Sequence, residues 1–411
     1  MTPLVHFNFF HAATMRKRLA DPDSVSEVES KKHSIECGSL LIKQLPPEIF
    51  DLILSFCIDV VPFFNCSHSL TTHFINSFAK KLVYCPLSAE CTPRHVENIQ
   101  NVYFRYHVSQ SLRQLANLTK LTILIFDQKA LDVLKTIHPQ SALKELIIDC
   151  GIYSMRHVKL NLDLIPDSVM SLKLECGENI TMCGSLPRQL VSFKVQTISQ
   201  RRLILDLPDT VKHLRVYGMF IDSLELKKDR WPLNLETLRV RMPMFGFPDC
   251  DFPDKLLKLK LFDTEEEYGH DFEIPKLPDS LVGLYIRRVK FPKVLPSTVK
   301  KIHLDGDTGV GTLPEHLEEL IHRGNGKGMI LPSSLKKLTF NDGSFDFENL
   351  LALPCSLEEL FVNPVYEIFS FVDQFKFSIP STLKKLTCPF RREQLQPLPD
   401  GCEFLNNRQE Y

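Results

Sequence analysis

Two glycine-rich stretches are the first places in this sequence where residue type and spacing could do chemistry. Residues 306–311 read GDTGVG and residues 324–328 read GNGKG. A phosphate-cradling loop needs glycines that let backbone amides converge, and a Lys-Ser/Thr pair at fixed spacing for the terminal phosphate and its metal. Neither stretch has that spacing or that pair, so both are read as turns. Cys85, Cys91 and His95 supply thiols and an imidazole. Three ligands without a fourth, and without a recognised zinc spacing, do not define a tetrahedral centre. Gly-x-Ser-x-Gly and His-Glu-x-x-His are absent, so the hydrolase elbow and the zinc-protease helix are not written here. The expectation is a chain with no catalytic site of its own, no cofactor and no bound metal.

Chemistry of another kind recurs at a fixed phase. Ten segments, from LIPDSVMSLKL through LPDTVKHLRV and LPSSLKKLTF to IPSTLKKLTC, share the form apolar-Pro-x-x-Leu-x-x-Leu-x-Leu. On a strand the last two leucines point inward and the residue between them points out. That outward position reads Lys173, Lys194, Arg215, Arg239 and Lys260 in five consecutive copies, then Tyr285, His303, Ile321, Thr339 and Phe361. Flanking outward positions add His213, Arg241 and Lys258, and residues 188–241 hold eleven Lys+Arg against six Asp+Glu. Stacked like charges about 4.8 Å apart repel, a cost that an anionic ligand recovers. The column is therefore expected to take an acidic or phosphorylated segment of a target protein, with Tyr217, Phe262 and Tyr285 giving apolar anchorage. The alternative is that Lys and Arg are simply common on exposed strands, with the acidic insertion at residues 263–273 close enough to screen them.

These positions have meaning only if the elements beneath them are strands in register. The prolines of the repeat stand at 166, 187, 208, 232, 253, 278, 296, 314, 332, 354 and 380, spaced 18 to 26 residues apart. Less regular copies precede them at Val96/Ile99/Val102, Leu115/Leu118/Leu121/Ile123 and Leu143/Leu146/Ile148. One unit cannot bury its leucines, whereas stacked copies pair their strands into a continuous parallel sheet. Proline fixes φ and donates no amide hydrogen bond, so it belongs on the connection into the strand. Units this short leave room on the outer side for extended or 3₁₀ segments, rarely for full helices. The pattern over roughly residues 86–405 resembles the Leu-Pro type of leucine-rich repeat found in fungal F-box proteins and some bacterial effector ligases. That resemblance implies a solenoid with a parallel concave sheet and a mostly non-helical convex side. The family's usual Asn, which closes a ladder of backbone bonds, is mostly missing, which implies looser lateral regularity. His322 falls on a core position in its unit.

Ahead of the repeats, residues 45–56 read LPPEIFDLILSF. Ile49, Leu52, Ile53 and Phe56 fall at i, i+3, i+4 and i+7 and make one apolar helical stripe. Pro46 and Pro47 suit its first turn, where amides lack intrahelical acceptors. A second helix is expected over residues 69–84. This stretch, with Leu45 and Pro46 leading the helix, resembles an F-box, the module that docks the Skp adaptor of Skp-cullin-F-box ubiquitin ligases. The resemblance implies that Leu45, Pro46, Ile49, Leu52, Ile53 and Phe56 bind the Skp adaptor and, through it, cullin, while the repeats hold the target. The residues alone leave open a helical cap on the first repeat, and a leucine-rich-repeat scaffold that works without ubiquitin.

Composition sets the remaining bounds. With 49 Lys+Arg against 50 Asp+Glu, the chain lacks the basic excess of a general nucleic-acid binder. No apolar run approaches the roughly 20 residues that span a bilayer. Twelve Cys without a paired framework or secretory signal read as reduced thiols, placing the chain in cytoplasm or nucleus. Residues 1–38 read as a disordered leader, 39–85 as the F-box-like module and 406–411 as a tail.

Overall fold

The computed structural model describes residues 101–104, 117–124, 128–137, 141–150, 158–176, 180–197, 201–218, 220–243, 247–264, 273–306, 312–324, 329–341, 353–363, 378–389, 391–395 and 397–406. By internal contacts the chain divides into residues 1–102 and 103–411, and the description concerns the second unit. The expected helices at 45–56 and 69–84, and Cys85, Cys91 and His95, lie outside the described residues.

The leucine phase builds strands as expected. A fifteen-stranded sheet runs in chain order, interrupted only where outer strands intervene in sequence, and its registered pairs from Lys120–Leu124 to Glu403–Asn406 are parallel. Alternate residues are buried: Leu214, Val216, Leu238, Val240, Leu259 and Leu261 are each 0% exposed. Burying such a side chain contributes about 1.5–3 kcal/mol, so several per turn offset the entropy of ordering it. The result is a leucine-rich-repeat solenoid.

Each proline does one repeated job. Its carbonyl accepts from the amide three residues on, as in Val211 N to Pro208 O at 3.2 Å and Leu281 N to Pro278 O at 3.1 Å, closing a β-turn that feeds the strand. The amide that proline lacks is never asked of it.

Side chains other than the missing Asn bond adjacent turns laterally. Thr210, Ser280, Thr298, Ser334, Ser356 and Thr382, two residues after the turn proline, donate hydroxyl bonds to carbonyls of the preceding turn at 2.5–2.9 Å. Asn234 does so with its amide, to Asp209 O at 2.9 Å. One backbone carbonyl per turn also takes two amides of the next: Lys212 O accepts from Glu236 N and Thr237 N, and Val282 O from Lys300 N and Lys301 N. Hydroxyls thus carry the lateral bonding expected of Asn.

Among the described residues the outer side is mostly extended. Val158–Asn161 pairs with Ile180–Cys183, and Arg202–Leu205 with Ser223–Leu226, as two small parallel sheets. One short helix, Gln128–Leu131, runs into the 3₁₀ segment Asp132–Thr136. Gln128 extends that outer layer: its side-chain amide exchanges two hydrogen bonds with the backbone of Lys159, at 2.8 and 3.1 Å, standing in for a strand partner.

Gly306 and Gly324, from the two glycine-rich stretches, occupy φ of 107° and 132°. A Cβ on Gly324 would lie 2.9 Å from the carbonyl of Gly306, so glycine is required where these turns stack. His322 is 1% exposed, its ring 6.2 Å from that of Phe340 and edge-on, which is the core position expected.

Candidate functional site

Strand alternation placed the basic column by inference, and the register places it directly. Lys173 stands opposite Lys194, Lys194 opposite Arg215, Arg215 opposite Arg239, and Arg239 opposite Lys260. The same row continues through Tyr285, His303, Ile321, Thr339 and Phe361. Ten repeats of unequal length thus deliver one side chain each to one line.

Charge along that line is uneven, which sequence reasoning missed. Glu175, two residues after Lys173 on the same strand, takes both Lys173 at 2.8 Å and Lys194 at 3.2 Å. Burial pushes its carboxyl up, but hydrogen bonds and attraction from the two lysines outweigh that and hold it below the ordinary value. The first two cations of the column therefore share one carboxylate within the fold.

From the next strand the pattern changes. The strands His213–Gly218, Thr237–Arg241, Lys258–Phe262 and Gly283–Arg287 present twelve outward positions in register: His213, Arg215 and Tyr217; Thr237, Arg239 and Arg241; Lys258, Lys260 and Phe262; Gly283, Tyr285 and Arg287. Six are permanent cations, one is a histidine and none is acidic. The first carboxylate beyond is Asp305, which Arg287 reaches at 3.3 Å. Much of the positive charge elsewhere in the segment is spent: Lys212 on Glu236, Lys227 on Asp206, Arg202 on Glu225 and Arg230 on Asp209, at 2.6–2.9 Å. Arg215, Arg239 and Arg241 thus bring three of the segment's cations onto one face.

Aromatic rings are interleaved with these cations. The Arg239 guanidinium carbon lies 5.2 Å from the Tyr217 ring centroid on one neighbouring strand and 5.0 Å from the Phe262 centroid on the other. The Lys194 and Lys260 ammonium groups lie 5.3 and 5.5 Å from the Tyr217 and Tyr285 centroids. Phe262 stacks on Tyr285 at 4.5 Å, and Tyr285 meets His303 at 3.9 Å. The expectation that Phe262 offers apolar anchorage is corrected: it is 8% exposed, because Tyr285 and Arg239 cover it, and it braces Arg239 instead. Tyr217 and Tyr285 stay part-exposed.

Burial first, and then the repulsion of Arg239, Arg215 and Lys258, lower the Lys260 pKa, so the crowding of like charge is felt at this point. Burial holds His303 down at about 4, against the attraction of Asp305. Of the acidic insertion, Asp263 is 7% exposed, Glu273 pairs with Lys293 at 2.9 Å, and residues 265–272 lie outside the description. Among the described residues, no group of three or more His, Cys, Asp or Glu could hold a metal ion, and no helix is long and apolar enough to cross a membrane.

No protein-family model and no curated protein matches the sequence. Among solved structures the fold is similar to CroV588, a circular leucine-rich-repeat protein, with a TM-score of 0.41 and 16% identity over 77% of this chain and 56% of that one. It is also similar to YopM from Yersinia enterocolitica, with a TM-score of 0.33 and 16% identity over 74% of this chain and 71% of that one. The leucine-rich effector YopM from Yersinia pestis gives 0.31 and 18% identity, over 64% and 83% of the two chains. The match spans little more than half the length of CroV588.

Proposed function

We propose that this protein is a non-catalytic recognition subunit whose solenoid holds a target protein through an anionic segment laid on the patch around Arg215, Arg239 and Lys260. One observation carries the reading: twelve outward positions in register hold six cations and no carboxylate, on a sheet whose other lysines have acidic partners. Uncompensated like charge on adjacent strands is destabilising, so the patch suits a partner that brings negative charge. Charge-assisted contacts of this kind supply specificity and weaken with salt.

The finer proposal is that the target is held for ubiquitination. The F-box-like residues Leu45, Pro46, Ile49, Leu52, Ile53 and Phe56 dock the Skp adaptor and, through it, cullin. Support comes from the LPPEI…LILSF pattern ahead of a repeat array. A leucine-rich-repeat scaffold independent of ubiquitin shares the patch but not the adaptor. Affinity capture with the full chain, with and without proteasome inhibition, separates the two. Leu45→Ala with Pro46→Ala should release adaptor and cullin and keep the target, while Arg215→Glu with Arg239→Glu should do the reverse. Adaptor retained at wild-type yield by the first variant removes the ligase reading. Target retained by the second removes the patch.

A further inference from the structure

We infer that the patch selects a phosphomonoester over a carboxylate, and that Arg239 is the residue that discriminates. The inference rests on the reading of the patch as a recognition surface and adds the chemistry of the ligand.

Three observations lead to it. Arg215, Arg239 and Lys260 stand opposite one another on three consecutive strands, so with strands about 4.8 Å apart they bracket one point of the surface. A monoanion placed there leaves the row in excess positive charge. A phosphate ester carries about −1.5 to −2 at neutral pH and three acceptor oxygens, which offsets more of the row's charge than a carboxylate does and matches the row in number of partners.

Arg239 is also held in place. Its guanidinium has a ring on each flank, Tyr217 at 5.2 Å and Phe262 at 5.0 Å, and Tyr285 stacks on Phe262 from the next strand. Its Nε is buried and has no hydrogen-bond partner among the described atoms. A planar guanidinium flanked by two rings suits donation of two parallel hydrogen bonds from its terminal nitrogens to a phosphate, a geometry that lysine cannot reproduce. The lowered pKa of Lys260, from burial and from Arg239, Arg215 and Lys258, agrees with a cluster short of counter-charge.

A third feature separates a phosphate ester on a peptide from a nucleic-acid strand. Single-stranded nucleic acid binds such surfaces by stacking bases on open aromatic faces. Here Tyr217 has Lys194 and Arg239 against it, and Tyr285 has Phe262, Lys260 and His303. The rings are already engaged in bracing the cations and each other. The partner is a phosphorylated segment of a protein.

The test uses the full chain and two fluorescent pools of degenerate peptides, identical except for phosphoserine or glutamate at the central position. At pH 7.4 the phosphoserine pool should bind about tenfold tighter, since the second charge and third oxygen are what the row is short of. The advantage should shrink as pH falls through about 6, where the phosphate loses its second charge. Arg239→Lys, which keeps the charge and removes the planar fork, should erase most of it, with strand content by circular dichroism unchanged. Equal binding of the glutamate pool, or an undiminished advantage in Arg239→Lys, overturns the inference and leaves the patch as a plain acidic-segment site. If neither pool binds, and Arg215→Glu with Arg239→Glu still captures the target, the recognition reading falls with it. Tighter binding of a single-stranded oligonucleotide than of the phosphoserine pool overturns the assignment to a protein ligand.

Discussion

Between Lys301 and Glu403, the position at the entrance of each strand alternates in sign, and Lys301–Glu319, Lys337–Glu359 and Lys385–Glu403 close at 2.7, 2.7 and 3.3 Å. The residue before it alternates too, giving Lys300–Glu318 at 3.1 Å and Lys384–Glu358 at 2.8 Å. Between His213 and Arg287, on the same repeat and in the same sheet, the outward positions show no such alternation, and their charged members are all cations. The repeat is therefore able to balance charge turn by turn, and does so over its last strands. The middle strands forgo this balance, and the proposed partner is what would restore it. On that proposal, stability and recognition are divided between two stretches of one fold.

The largest effect should come from removing the balance where it exists. Glu319→Lys with Glu359→Lys gives five lysines in a row from position 301 to 385. Cross-strand pairs are worth about 0.2–1 kcal/mol each and like charges cost similarly, with exposure tempering both. The solenoid should lose about 2 kcal/mol by urea unfolding, with target capture unchanged. A loss of capture at unchanged stability would invert the comparison.

The hydroxyl ladder supplies the next test. Thr382 donates to both Cys355 O and Leu357 O, at 2.7 and 2.8 Å, so Thr382→Val should cost about 1 kcal/mol. Because the bond lies at the turn and not on the recognition face, affinity for the target should not move.

His303 stands at the border of the two stretches and gives the pH arm. Its folded pKa, about 4, lies below its unfolded value near 6.5. The unfolded chain therefore takes up the proton first, and stability is lost as pH falls from about 6.5 to 4. His303→Gln should flatten that part of the profile by on the order of 1 kcal/mol, after discounting for partial exposure. Identical profiles for the two proteins would place His303 in a more solvated setting.

The smallest shift should be a gain. Arg215 is exposed and stands between Lys194 and Arg239, so Arg215→Glu introduces the alternation the patch lacks. Stability should rise by about 0.5 kcal/mol while binding of an anionic probe weakens. A destabilised variant would mean that the cations are no burden to the fold.

Much of this was legible in the sequence because the leucine phase is rigid. A Leu-x-Leu pair fixes which side chain points out, so the row from Lys173 to Phe361 followed from spacing alone and reappears residue for residue in the register. The Lys-Glu ladder was legible too, in the doublets Lys300-Lys301, Glu318-Glu319, Lys336-Lys337, Glu358-Glu359 and Lys384-Lys385 at one phase of the repeat. It is visible only when positions are compared between repeats instead of counted within a segment. Phe262 was misjudged because alternation gives direction and not depth: an outward ring becomes buried when Tyr285 and Arg239 lie over it. Glu175 as partner of both Lys173 and Lys194 depends on a diagonal reach between strands, which a list of opposed positions omits. The pairing of the outer strands depends on the differing lengths of turns around them, and no periodicity encodes that.

The claim that the partner sits on the uncompensated strands and not on the balanced ones is tested most directly by crosslinking. A photoreactive benzoylphenylalanine in place of His213, exposed at the edge of the patch, is compared with one in place of Lys337, exposed on the balanced stretch. On irradiation of cells carrying the full chain, we expect a target adduct from position 213, lost when Arg215→Glu and Arg239→Glu are added, and none from position 337. Adducts from position 337 and none from 213 would contradict the account.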